Sequence, residues 1–386
     1  MKRRPRVALL IETSNSYCRG LLRGIHAYVQ EHGPWSTYLT EQGRGDPTHK
    51  WVLENLHGDG IIARIENRRI AEAVMELDLP VVDVSAARTF ADVPYVETDD
   101  PSIARMGAEH LLGRGFKQFA FCGDQRYNWS GWRQREFQRI INESGHPCFV
   151  YRPELLGKRM PSNVAEVEKQ LSHWIGQLPK PIGVMACYDL RGLQLLEVCR
   201  RLGVAVPDEV AVIGVDNDEL LCNLSDPPLS SVIPNTHRTG YVAASMLDRL
   251  MAGKRLPARS QRIEPLGTVT RQSTDVLNVA DPDISQAVRF IRQHACDGIK
   301  VEDVLKAVPL SRRVLEHRFR QLFGHTPHDE ILRVQFQLVT QLLLETSLSL
   351  ATVARRAGFE HAEYLSVAFK RRFGVPPSEY RSQHRR

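Results

Sequence analysis

The stretch GVMACYDLRGLQLLEVCRRLGVAVPDEVAVIGVDNDEL, residues 183–220, decides how the longer part of the chain folds. Gly183 to Cys187 is a short apolar run, Arg191 to Leu202 carries apolar residues at helical spacing, and Val210 to Val215 is a second continuous apolar run. Two strands apolar on both faces and joined through a helix make a parallel crossover unit with helices covering the sheet. In such sheets ligands are met beyond the C-terminal ends of the strands. Tyr188 and Asp189 follow the first run and Asp216 follows the second, so these three are candidate ligand contacts.

The same alternation extends outward from residue 6 to about 275. Further strands are expected at Arg6 to Ile11, Gly60 to Ile65, Pro80 to Val84 and Lys117 to Cys122. Helices are expected at Arg19 to Gln30, Ile70 to Leu77, Pro101 to Leu112, Trp132 to Glu143 and Val164 to Leu178. So many alternating elements exceed one sheet, which predicts an α/β domain of two doubly wound lobes over residues 1–275. The polar stretch DVLNVADPDIS with Pro282 then reads as a linker, 276–285. Beyond it, residues 286–386 show only helical periodicity, an all-α domain. A total of 386 residues accommodates these cores and excludes a small disulfide-stapled module.

The chain is 42% apolar and 25% charged, with net charge +6. Residues 281–386 hold 17 Lys+Arg against 12 Asp+Glu, a net +5, leaving +1 for everything before them. A basic helical end points to nucleic acid. The seven cysteines stand singly, which suggests neither disulfides nor a zinc ribbon and suits the cytoplasm. The N-terminal apolar run from Val7 to Ile11 is too short for a signal peptide, and no stretch suits a transmembrane helix. His26, His110 and His173 lack acidic partners at ligand spacing, so no metal and no cofactor are expected.

The C-terminal region contains an approximate duplication. SRRVLEHRFRQLFGHTP from Ser311 matches HAEYLSVAFKRRFGVPP from His361 in Leu315/Leu365, Phe319/Phe369 and Phe323-Gly324/Phe373-Gly374. Offsets of four and eight place these residues on one helix face. Shorter helices, Val301 to Ala307 and Leu350 to Arg356, precede them, and an apolar helix from Asp329 to Leu344 joins the halves. Two helix-turn-helix units result. With the Gly358-Phe359 turn, Phe369-Lys370, the ending Phe373 to Pro377 and Tyr380-Arg381, residues 284–381 resemble the AraC/XylS-type DNA-binding domain. The resemblance implies base contacts at Arg313, Glu316 and His317 in the first unit and at Ala362, Glu363 and Ser366 in the second. Arg312 also lies on the exposed face, and Arg320, Lys370, Arg371 and Arg372 suit phosphates. A solvated basic surface is the alternative for any single one of these charges. Three residues depart from the family pattern: Pro309 for a turn glycine, Leu305 for a small residue and Gln335 for a basic one.

Residues 183–220, PPLSSV at 227–232 and VTRQST at 269–274 resemble the periplasmic-binding-protein-like sensor of LacI/GalR-type repressors, which carry DNA-binding helices before this domain. Here only Met1 to Pro5 stand there, so the DNA-binding function is expected at the other end. The resemblance implies a sugar ligand in the cleft, with Arg133 and Asp216 contacting hydroxyls and Asn15, Tyr17 and Tyr188 at contacting positions. Ser85, after a strand, and Asp189 complete the candidate set. Carboxylates and guanidinium groups suit neighbouring hydroxyls because each spans two of them. Asp189 and Asp216 also read as helix caps and Tyr17 as packing.

Nucleotide-binding, G-x-S-x-G and H-E-x-x-H motifs are absent, so an enzyme is not expected. Cys18 beside Arg19 and Cys199 beside Arg200 leave a reactive-thiol enzyme as a third class, after a transporter's solute-binding component. The domain order and HACDGIKVEDVL at 294–305 resemble the sugar-responsive regulators in which a LacI-like sensor is fused to AraC-type helices. This implies a D-xylose-dependent activator of xylose catabolic genes, a homodimer meeting double-stranded operator DNA and RNA polymerase. A repressor, or a regulator responding to another sugar, is the alternative.

Overall fold

The computed structural model describes residues 3–41, 43, 58–86, 88, 90, 92–153, 163–275, 281–346 and 348–384. The chain divides into two compact units, Met1–Val276 and Leu277–Arg386.

The first unit contains two six-stranded sheets. One has the order β11-β5-β4-β3-β1-β2, built from β1 (Arg6–Leu10), β2 (Ser36–Leu39), β3 (Gly60–Ala63), β4 (Val81–Asp83), β5 (Tyr95–Thr98) and β11 (Ser260–Ile263). Its pairings are all parallel. The other has the order β12-β10-β9-β8-β6-β7, from β6 (Phe119–Cys122), β7 (Cys148–Val150), β8 (Ile182–Ala186), β9 (Val210–Val215), β10 (Ser230–Ile233) and β12 (Gly267–Val269), with β12 antiparallel to β10. The chain passes between the lobes near Asp99, near Pro234 and between Glu264 and Leu266. The buried strands β1, β3, β4, β6, β8 and β9 lie within the apolar runs of the sequence. Edge strands such as β11, SQRI, and β2, STYL, are exposed and too polar to be recognised from composition.

The helices of this unit are α1 (Ser16–His32), α2 (Arg68–Met75), α3 (Asp100–Leu112), α4 (Asn128–Glu143), α5 (Val164–Gln177), α6 (Asp189–Leu202), α7 (Glu219–Leu224) and α8 (Thr236–Met251). Helix α1 starts three residues before the expected Arg19, because Asn15 caps it by accepting from the Cys18 amide. Helices α1 and α8 meet backbone to backbone. A Cβ on Gly24 would lie 1.9 Å from the His237 carbonyl oxygen, and one on Gly240 would lie 2.0 Å from that of Leu21. We expect Gly24→Ala to destabilise this unit by about 2 kcal/mol despite alanine's better helix propensity, since overpacking against a rigid backbone outweighs it. A urea midpoint at or above the wild type's would sink this expectation.

The second unit is all-α: α9 (Pro282–His294), α10 (Val301–Ala307), α11 (Arg312–Phe323), α12 (Pro327–Glu345), α13 (Leu350–Arg356), α14 (Ala362–Phe373) and α15 (Pro377–His384). Helix α9 begins inside the stretch read as linker, whose polar residues have local work: Asp281 caps the helix and Pro282 opens it. Leu305 packs against the first helical core, and Pro309 lies in the turn between α10 and α11. Thr326 and Asp329 form a reciprocal cap on α12. Gly324 and Gly374 end α11 and α14 at φ of 72° and 81°.

Candidate functional site

A narrow cleft is lined by Tyr17, Arg64, Val84, Ala86, Glu97, Thr98, Asp100, Trp129, Arg133 and Asp216. Tyr17 lies in the first turn of α1, while Arg64, Thr98 and Asp216 stand at or just past the ends of β3, β5 and β9. Both lobes contribute, as expected at the C-terminal ends of parallel strands. Arg133 is 4% exposed. Its Nε donates to Asp100 at 2.7 Å, its Nη1 donates to the Cys187 carbonyl at 2.6 Å, and its guanidinium lies 4.8 Å from the Trp129 ring centre. Across the cleft Arg64 donates to Cys18 Sγ at 2.8 Å, pairs with Glu66 and lies 5.3 Å from the Tyr17 ring centre. Buried Glu97 pairs with Arg88 and Arg262.

Asp216 and Asn217 have φ of 111° and 46°, conformations costly for residues with a side chain. The surrounding network holds them. Ser231 Oγ accepts from the Asn217 amide and donates to Asp189, whose other carboxylate oxygen accepts from the Asp218 amide at 2.8 Å. Arg271 donates to Asn217 Oδ1 at 2.9 Å. A Cβ on Gly214 would lie 2.3 Å from the Asp189 carboxylate, so glycine is required there.

Burial dominates the electrostatics. It pushes the Asp100 carboxyl up to about 6, against the opposing effect of Arg133. Burial likewise carries the Tyr17 phenol to about 12, with Arg64 opposing. For Arg64, burial works against the charge, but Cys18, Glu66 and Glu12 outweigh it and hold its value well above the guanidinium norm. Desolvation and then Asp216 raise Asp189. Burial raises the Cys18 thiol and takes that of Cys199 to about 12, the reverse of nucleophile activation.

Of the seven ligand candidates, Tyr17, Arg133 and Asp216 come together in the cleft lining. The other four are engaged elsewhere. Asn15 caps α1 and donates to Glu12. Ser85 donates to the Ile65 carbonyl and bonds Asp83. Tyr188 is buried edge-on against Trp129, and Asp189 braces the Asp216 loop instead of capping its helix. Arg64, Glu97, Thr98, Asp100 and Trp129 escaped the sequence reading. Arg64 and Asp100 each stood one step from a recognised strand or helix end, whereas Glu97 sits in the short strand YVET, which lacks an apolar run.

Asp83, beneath this region, is raised to about 7, chiefly by burial. Its folded value lies above the ordinary 3.8, so the stabilisation from its neutral form is complete below about pH 4 and is lost as the pH rises through about 7. Ser85 Oγ lies 3.0 Å from both the Ile65 carbonyl oxygen and Asp83 Oδ2 and has one hydrogen for the two. Asp83→Asn should therefore raise the melting temperature at pH 8 relative to the wild type, with the gap closing towards pH 5. A variant less stable at pH 8 than at pH 5, by the wild type's margin, would contradict this.

In the second unit α11 exposes Arg313, His317 and Arg320, which form no ion pair among the described residues. Arg312, expected on the DNA face, is also exposed and pairs with Glu302 at 2.6 Å and with Glu316 at 3.0 Å. On α14, Glu363, Lys370, Arg371 and Arg372 are exposed. Ala362 is partly packed into the second core, and Ser366 Oγ donates back to the Ala362 carbonyl. Tyr364 and Val367 on the same helix, not singled out from the sequence, are 50% and 69% exposed. Their i, i+3 spacing off the apolar face was the available signal, and such groups can meet thymine methyls.

Among the described residues no helix is long and apolar enough to cross a membrane, and no group of three His, Cys, Asp or Glu is arranged for a metal ion. A two-lobed ligand-binding unit on one chain with paired helix-turn-helix units defines a ligand-sensing transcription regulator. Residues 6–101 match the XylR N-terminal domain, 108–274 a periplasmic binding protein-like domain and 304–383 a helix-turn-helix domain. The xylose operon regulatory protein of Escherichia coli (strain K12) is 32% identical, over 98% of this chain and 97% of that protein. Its counterpart in Haemophilus influenzae is 31% identical, over 97% and 98%. The solved structure of the xylose-binding transcription activator xylR superimposes with a TM-score of 0.79 at 32% identity, covering 100% of both chains. The transcriptional regulator CelR in complex with cellobiose shares the sensor fold, with TM-score 0.57 at 21% identity over 71% of this chain and 86% of that one. The chain belongs to the family of xylose operon regulatory proteins. These relatives are regulators of transcription, and the enzyme and transporter readings fall with that.

Proposed function

We propose that the cleft binds an aldopentose, D-xylose above all, and that the bound sugar favours the DNA-competent arrangement of a cytoplasmic activator. The observation carrying this is the convergence of Arg133 and Asp216 from one lobe with Tyr17 and Arg64 from the other around a single polar cleft beside Trp129. A polyol there takes hydrogen bonds from both lobes and offers its C–H face to an aromatic ring. A ligand held by both lobes stabilises the closed form over the open one, and only such a difference in affinity shifts the equilibrium. Tyr17, Arg133 and Asp216 are the proposed contacts, with Arg64, Glu97, Asp100 and Trp129 added. The relatives' names support xylose. A homodimer on a paired operator, and contact with RNA polymerase, follow from the resemblance to AraC-type activators.

Isothermal titration of the purified chain with D-xylose, D-ribose, L-arabinose and D-glucose tests the sensor. Saturable heat with xylose alone is expected. Silence with xylose and heat with another sugar would overturn the assignment. For the DNA side, Arg313→Ala should relax preference at one base pair by about 1–3 kcal/mol. Equal weakening on all sequences would place Arg313 on phosphate instead.

A further inference from the structure

The connecting helix α12 carries two hydrophobic cores in series. Ile331 and Val334 belong to the core of the first helix-turn-helix unit, with Leu315 and Phe319 of α11. Phe336, Val339 and Leu343 belong to that of the second, with Leu365 and Phe369 of α14. Gln335 stands at the changeover and is 4% exposed. Its Nε2 donates to the Ala295 carbonyl in the first unit at 2.9 Å and to the Gly358 carbonyl in the second at 3.3 Å. A primary amide nitrogen carries two hydrogens, so one side chain serves both units.

Two further contacts join the same faces. Gly358, at φ of 80°, approaches so closely that a Cβ on it would lie 2.8 Å from both the Ala295 oxygen and the Gly298 nitrogen. Lys300 and Glu360 form an exposed pair at 3.1 Å, worth little alone. Apolar packing is non-directional and allows one unit to roll about a shared helix. Hydrogen bonds to backbone carbonyls are directional and oppose that roll.

We propose that Gln335 is a positioning residue for DNA recognition. By tying the Ala295 and Gly358 carbonyls to one amide it fixes α11 relative to α14, so that the chain accepts a single spacing between the two base sequences these helices read. The position that is basic in the AraC-type pattern serves here as an internal tie between the two units.

The test is selection of duplexes from a random-sequence pool by the full-length protein, by Gln335→Met and by Gln335→Asn. Methionine keeps the volume and removes the donors, and asparagine keeps the amide but reaches only one carbonyl. The wild-type pool should show two preferred blocks at one spacing. Inserting one base pair between them rotates one block by about 35°, and this should weaken wild-type binding at least about tenfold. Each variant should keep both blocks, accept a mixture of spacings, and show an insertion penalty below about threefold. A folded variant, by circular dichroism, with the wild type's single spacing and full penalty overturns the proposal, because loss of general stability weakens all spacings alike. The proposal rests on α11 and α14 being the reading helices. That premise fails separately, if the wild-type pool holds only one block.

Discussion

Arg133→Ala should abolish the sugar-induced heat and lower the stability of the first unit by about 3–5 kcal/mol, the range for removing one partner of a buried ion pair. The arginine is held by Asp100, by the Cys187 carbonyl and over Trp129, so its loss strands three groups at once. Asp100 is already raised to about 6 by burial, against the pull of Arg133, and without that pull it rises further. The variant's deficit is therefore greatest where Asp100 must ionise and shrinks as the pH falls towards 5. Urea midpoints at pH 5 and pH 8 measure this. A deficit below about 1 kcal/mol at pH 8 would mean that water reaches Asp100 and the pair is not isolated. Arg133→Lys should recover part of the stability but little sugar binding, since an ammonium lacks the planar fork that spans two hydroxyls.

Asp216→Asn should weaken sugar binding by about ten- to a hundredfold, the value of one hydrogen bond to a charged group. Asparagine is the informative replacement because it also tolerates positive φ, so the strained loop persists while the charge goes. DNA binding without sugar should be unchanged. A loss of sugar affinity below about threefold would remove Asp216 from the contact set. Asp189→Asn offers a useful contrast: Asp189 lies outside the lining and braces the loop through Ser231 and the Asp218 amide. Its replacement should lower thermal stability together with affinity, whereas Asp216→Asn should lower affinity alone.

Burial divides what was legible in the sequence from what was not. Strands covered on both faces, such as Val210–Val215, leave continuous apolar runs, and the duplicated Leu, Phe and Phe-Gly positions leave a helical period. The exposed strands β2 and β11 leave neither, because a strand meeting water can be polar. Polar residues are ambiguous in the same way. Asp281 and Pro282 read as linker because caps and loops draw on the same residues, and only the helix behind them shows which they are.

The sequence alone determined that this chain pairs a two-lobed α/β unit with two C-terminal helix-turn-helix units and that Asp216 stands at a strand end, since hydrophobic period and strand-end position are local properties; Arg133, inside a helix, was singled out by the family resemblance. The tertiary structure decided which polar groups share a space. It brought Arg64, Glu97 and Asp100 to the cleft from separate strand and helix ends, turned Asp189 and Ser85 inward, and paired Arg312 with Glu302. It also set Gln335 between the Ala295 and Gly358 carbonyls. Those partners are distant in the chain, and a side chain's partner in a folded protein depends on where the cores bring the backbone, which no local pattern records.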